Sequence, residues 1–213
     1  GNNSTFTNVV VGSTCTDIYS ALSASIGSLK GPKHGGANIS VAKMMRQIIA
    51  DTDYTADKDQ LRMIINRILD REYYDHAGLI YGFGHAVYTL SDPRAEILRK
   101  LCRALAEEQG CMYKFTFYKL FEDTVKEVML ERKGAVITSN VDLYSGLAYS
   151  MLGIPEELFT PLFATARVAG WVAHNLENKL YDGKIMRPAT KYVGDHLEFV
   201  PVDQRRLAVA DQK

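Results

Sequence analysis

Apolar residues recur at helical spacing along most of this chain. Thr16 and Asp17 are good helix starters, and Ile18, Leu22, Ser25, Ile26 and Leu29 follow them before Gly31-Pro32 stops the run. Val41, Met44, Met45, Ile48 and Ile49 mark a second helix, and Leu61, Ile64, Ile65, Ile68 and Leu69 a third. Asp92-Pro93 opens a fourth, carried by Leu98, Leu101, Cys102 and Leu105 and closed by Gly110. Phe117, Leu120, Phe121, Thr124, Val125, Val128 and Met129 give a fifth, which ends at Lys133-Gly134. A shorter run follows Asp142, and a long one spans 159–176. The pattern predicts an all-α chain of about seven helices joined by short links. Residues 1–13, polar and then β-branched, read as a loosely anchored lead-in, and residues 51–59 as a charged link. The tail after residue 180 is irregular.

Composition changes this picture little. The 213 residues are 46% hydrophobic, and 25 basic residues balance 25 acidic ones. That balance gives no reason to expect nucleic acid or an anionic membrane as partner. No apolar run is long enough to span a bilayer, and the N-terminus lacks a signal-like core. Cys15, Cys102 and Cys111 lack metal-ligand spacing, so no metal is implied. They suggest free thiols in a reducing, cytoplasmic setting.

The candidate chemistry sits at loop–helix junctions. In LIYGFGHAVYTLSDPR, Gly82 and Gly84 flank Phe83, and His85 follows. Glycines let a backbone approach a ligand, and a histidine there exchanges protons near neutral pH. Arg94, at the start of the next helix, can grip a carboxylate or phosphate. In GPKHGGAN, His34 lies in a glycine-rich turn just before a helix. The positive helix end disfavours imidazolium, and a neutral histidine can donate to an oxyanion, though a mere cap is the simpler reading. Asp142 is either a helix N-cap or a partly buried base with a raised pKa. Arg167 interrupts an apolar run and should face a partner or a ligand. His76 reads as a solvated loop residue, His174 as lying at a helix end, and Arg187 as a surface arginine.

Taken together, GPKHGGAN, GFGHAVYTLSDPR, NVDLYSG with GIPEELFTPLFATARVAGWVAH, and RPATKYVG resemble the citrate synthase family in the right order. The resemblance implies an all-α, citrate synthase-like multihelical fold working as a homodimer, with this chain as the C-terminal half. Residues 1–34 and 146–213 would belong to the large domain and 35–145 to the small one. The implied reaction condenses acetyl-coenzyme A with oxaloacetate, with 2-methylcitrate synthesis from propionyl-coenzyme A as the near alternative. A non-catalytic helical dimerisation module is the distant one. His34, His85 and Asp142 would be catalytic, and Arg94, Arg167 and Arg187 would bind carboxylates, Arg187 in the other subunit's site. Gly82, Phe83 and Gly84 would meet coenzyme A, which is a co-substrate and not a resident cofactor. A substrate-binding histidine usual in the family would lie just upstream of Gly1. Thr89, Leu90 and Ser91 stand where many members carry a basic residue, and Ala189 where many bacterial ones carry arginine.

Overall fold

The structure, a computed structural model, describes residues 2–85, 88, 91–181 and 183–205. Thr89 and Leu90, two of the three residues in the gap noted above, lie outside that set. Eight α-helices account for most of it: α1 (Asn3–Gly12), α2 (Ile18–Lys30), α3 (Ala37–Thr52), α4 (Lys58–Leu69), α5 (Pro93–Glu108), α6 (Met112–Lys133), α7 (Val141–Met151) and α8 (Phe159–Leu180). Among the described residues there is no strand, only an isolated antiparallel bridge between Phe83 and Ser139. None of these helices is long and apolar enough to cross a membrane.

The expected lead-in is in fact a helix. Asn2 caps α1 by accepting the Thr5 N–H at 3.2 Å. Its buried stripe is Ser4, Asn8 and Gly12, spaced by four but small or polar, while Phe6 points outward. An apolar periodicity search passes over such a stripe. The link at 51–59 is also more ordered than expected. α3 runs on to Thr52, and Asp57 with Gln60 forms a reciprocal capping box at the start of α4. The face of α2 is turned from its apolar pattern: Ala21, Ser25 and Leu29 are buried, while Ile26 is about half exposed. Small side chains there let α2 lie close to its neighbours.

Two packing groups result. α1, α2 and α8 pack on one another, as do α3, α4, α5, α6 and α7. The second group holds the main core, with Met44, Met45, Ile48, Leu61, Ile65, Phe121, Val125 and Leu143. Complete burial of each such side chain contributes roughly 1.5–3 kcal/mol. Buried Cys102 donates its thiol to the Tyr144 carbonyl at 3.2 Å, which joins α5 to α7. Burial pushes that thiol up to about 12. Contacts between α3 and α8 join the two groups. The expected domain boundary at residue 145 falls inside α7, which packs on α3 and α5.

Candidate active site

Four junctions meet in one cavity of about 120 Å³: the α1 N-terminus, the α2–α3 turn, the loop before α5, and the α7 N-terminus closed over by α8. His34, Asn38, His85, Arg94, Asp142 and Arg167 all line it. Five of the six proposed catalytic and carboxylate-binding residues are thus brought together. The sixth, Arg187, is exposed in the tail and is not among the lining residues.

His34 sits in the tight turn between α2 and α3. The turn is closed by the Gly35 N–H donating to the Leu29 carbonyl at 2.8 Å and by Thr160 donating to the Gly35 carbonyl at 2.9 Å. A side chain at residue 35 would collide with the Leu29 oxygen, so glycine is required by close approach. The Ser4 N–H faces His34 Nε2 at 3.4 Å, and the Ser4 hydroxyl lies 3.1 Å from the same atom. The hydroxyl has a second acceptor within reach, Asn2 Oδ1, and can rotate between them. The backbone N–H cannot turn away. It therefore favours a lone pair on Nε2 and the ring proton on Nδ1. Burial, with Arg167 nearby, lowers the pKa of His34, which favours the uncharged ring.

Gly82 and Gly84 have φ of +87° and +80°, a region where L side chains are strained. Their backbones pair with the segment ahead of α7. The Gly84 N–H donates to the Thr138 carbonyl at 2.8 Å, and the Asn140 N–H to the Gly82 carbonyl at 2.9 Å. Asn140 also donates from its amide to the Gly84 carbonyl at 3.1 Å. These bonds key the backbone beside His85 to the start of α7. Phe83 packs edge-on against Phe121 and does not line the cavity. The His85 ring lies 4.8 Å from that of Tyr88, whose N–H donates to His85 Nδ1 at 3.3 Å.

The N-cap of α7 is Asn140, not Asp142. Asn140 accepts the Asp142 N–H at 3.0 Å, which leaves the Asp142 carboxylate to face the cavity. Burial raises the Asp142 pKa to about 6, against the opposing pull of Arg94, Asn38 and Arg167. Asn38 fixes the same turn from α3, donating to the Asp142 carbonyl at 3.4 Å and to Ser145 Oγ at 2.5 Å.

The two arginines are held differently. Buried Asp92 caps α5 and takes Arg94 Nε and a terminal nitrogen at 3.0 and 2.8 Å. Arg167 lies over the Phe163 ring at 4.2 Å, and one buried terminal nitrogen has no hydrogen-bond partner among the described residues. Burial and then Arg94 lower the Arg167 pKa. A donor of that kind suits an anion. Ser4 and Asn38 had drawn no notice in the sequence, and Asp92 only as a helix opener, since each acts through a partner distant in the chain or in a cap. His76 is exposed, as expected, with its Nδ1 on the Arg71 carbonyl at 2.8 Å. His174 is inside α8, which continues to Leu180, and lines a groove beside the cavity. Among the described residues no cluster of metal-ligating side chains occurs.

A histidine of lowered pKa, a carboxylate of raised pKa and two arginines thus share the walls of one small cavity. The chain belongs to the citrate synthase family. The model of that family's C-terminal domain matches residues 1–189. A citrate synthase of Synechocystis is 42% identical over 210 residues, covering 98% of this chain and 49% of that protein. A 2-methylcitrate synthase of Corynebacterium glutamicum is 40% identical, covering 96% of this chain and 49% of that protein. Among solved structures, Thermotoga maritima citrate synthase superposes with a TM-score of 0.74 at 35% identity, covering 97% of this chain and 52% of that one. The Thermoplasma acidophilum enzyme, solved with carboxymethyl coenzyme A and oxaloacetate, gives 0.74 at 30%, covering 96% and 51%. This chain spans about half the length of the relatives it matches.

Proposed function

We propose that this chain is the C-terminal half of a citrate synthase, which condenses acetyl-coenzyme A with oxaloacetate and water to give citrate and coenzyme A. The observation that carries the reading is the meeting of Asp142, His34, His85, Arg94 and Arg167 in one cavity. Asp142 takes a proton from the thioester methyl. Its carboxylate is a stronger base for being buried, and it is still largely ionised at neutral pH. Neutral His34 donates from Nδ1 to the enolate oxygen. The enolate carbon then attacks the oxaloacetate ketone, and His85 donates to the oxygen that takes up the charge. Water hydrolyses the resulting thioester and releases coenzyme A. Arg94 and Arg167 hold the oxaloacetate carboxylates, and Arg187 of the partner subunit completes the set in a homodimer. Gly82, Phe83 and Gly84 contribute backbone to the coenzyme A site. We place the hinge between the two packing groups, which share the cavity walls, so that closing them excludes water.

The 2-methylcitrate reading has a specific support, the 40% identity to a 2-methylcitrate synthase. One methylene in an apolar pocket discriminates by only about 10- to 200-fold. Coenzyme A release by the complete protein, measured with oxaloacetate and either acetyl or propionyl thioester, tests both. A higher kcat/KM with acetyl is expected. Preference for propionyl would move the assignment to 2-methylcitrate synthase, and release with neither would overturn the reading.

A further inference from the structure

A fully buried carboxylate in the core of α3–α7, that of Glu122 of α6, lies behind the site. One oxygen accepts the Ser139 hydroxyl at 2.7 Å and Lys126 Nζ at 2.6 Å. The other accepts the Tyr144 hydroxyl at 2.5 Å, with Arg99 of α5 at 3.6 Å. Burial alone would push this carboxyl up. The hydrogen bonds from Lys126, Tyr144 and Ser139 prevail and hold it at about 2.

The partners are placed so that this one carboxylate grips both sides of the reacting base. Ser139 lies three residues before Asp142 and Tyr144 two residues after it. Between them is Asn140, which caps α7 through the Asp142 N–H and ties its amide to the Gly84 carbonyl, next to His85. Phe83 is bridged to Ser139 itself. Arg99 belongs to the helix whose first turn carries Arg94. A buried carboxylate desolvated only to staple helices could be replaced by apolar side chains at little cost. Here its oxygens instead hold the two residues that bracket Asp142 in the chain.

We propose that Glu122 is a positioning residue for the reaction, setting the angle of Asp142 through Ser139 and Tyr144 and the backbone beside His85 through Asn140. The proposal rests on the citrate synthase reading above. Displacement of a reacting group by about 1 Å can lower a rate on the order of a hundredfold. Oxaloacetate binding depends on the arginines and should be largely spared.

The test uses the complete enzyme with Glu122→Gln, Ser139→Ala and Tyr144→Phe, assayed well below each variant's melting temperature. For Glu122→Gln, kcat should fall at least about tenfold while KM for oxaloacetate stays within about twofold. A kcat within about twofold of the parent, whatever the loss of thermal stability, overturns the proposal. Should Glu122→Gln fail to fold, the two hydroxyl deletions decide: each should lower kcat several-fold and shift the acid limb of its pH profile. Parental kcat and an unmoved limb in both overturn the proposal. A parent without turnover refutes the functional reading and not this one. The Asp142 titration, followed by NMR in the charge-conserving Ser139→Ala and Tyr144→Phe variants, then decides: a midpoint that both move supports positioning, and one unmoved in both rejects it.

Discussion

Asp142 and Glu122 are carboxylates in one core, yet their linkage to pH runs in opposite directions. Asp142 titrates higher in the fold, near 6, than its ordinary 3.8, because burial disfavours its charge. The folded state therefore holds its proton more tightly, and stability falls as pH rises from about 4 to 6. Asp142→Asn should consequently stabilise the fold at pH 7 by up to about 3 kcal/mol, read as a higher melting temperature, and change it little at pH 4. In the complete enzyme the same change should lower turnover by orders of magnitude while oxaloacetate still binds by calorimetry. Near-parental turnover would remove Asp142 as the base. Glu122 titrates lower than usual, near 2, so its stabilisation is present above about 4.5 and is lost as pH falls towards 2. Thermal melts from pH 5 down to pH 2 should therefore show a steeper loss of stability in the parent than in Glu122→Gln. Equal slopes would show that the charge is not held as described. At this scale the sequence pointed to most of the polar side chains that line the cavity. His34, His85, Asp142 and Arg94 stand beside glycines or helix starts, where local chemistry announces itself. Glu122 did not, because glutamate at a helical position reads as solvated until Ser139 and Tyr144 are seen to meet it.

Among the elements, the amphipathic helices of the main core were legible because their buried stripes are apolar. α3 and α4 bury most of the residues their periodicity marks, with Ile49, Ile64 and Leu69 packed at the edge of the core. α1 was missed for the opposite reason: its buried stripe of Ser4, Asn8 and Gly12 carries no apolar signal, and its β-branched residues favour extended structure. The turn that presents His34 gives a paired prediction. A methyl at Gly35 would lie 2.2 Å from the Leu29 carbonyl oxygen and 2.7 Å from Thr160 Cγ2, so the turn must shift. Gly35→Ala should cost about 1–3 kcal/mol and disturb the site as well. At Gly27, in α2, nothing lies within 4 Å of such a methyl. Gly27→Ala should instead stabilise the chain by roughly 0.5–1 kcal/mol through helix propensity. Urea midpoints of the two variants moving in the same direction would contradict this reading of the turn.

For the whole molecule, the cavity draws on both packing groups, but α1, α2 and α8 leave much apolar surface uncovered. Phe6, Tyr19, Ile26, Leu176 and Leu180 are all about half exposed or more. Large apolar patches drive association. We expect the 213 residues by themselves to self-associate and to show little or no synthase turnover. A monodisperse monomer by light scattering would refute the first expectation, and turnover near that of the complete protein the second. The buried Cys102 offers a direct view of whether such a species keeps its core. Its thiol is sealed between α5 and α7, whereas Cys15 is exposed. A maleimide should thus alkylate Cys15 quickly in the folded chain and reach Cys102 only when the α5–α7 seam opens. Mass spectrometry of the labelled protein, timed against denaturant, then turns one concealed sulfur into a clock for the opening of the half of the site that carries Asp142.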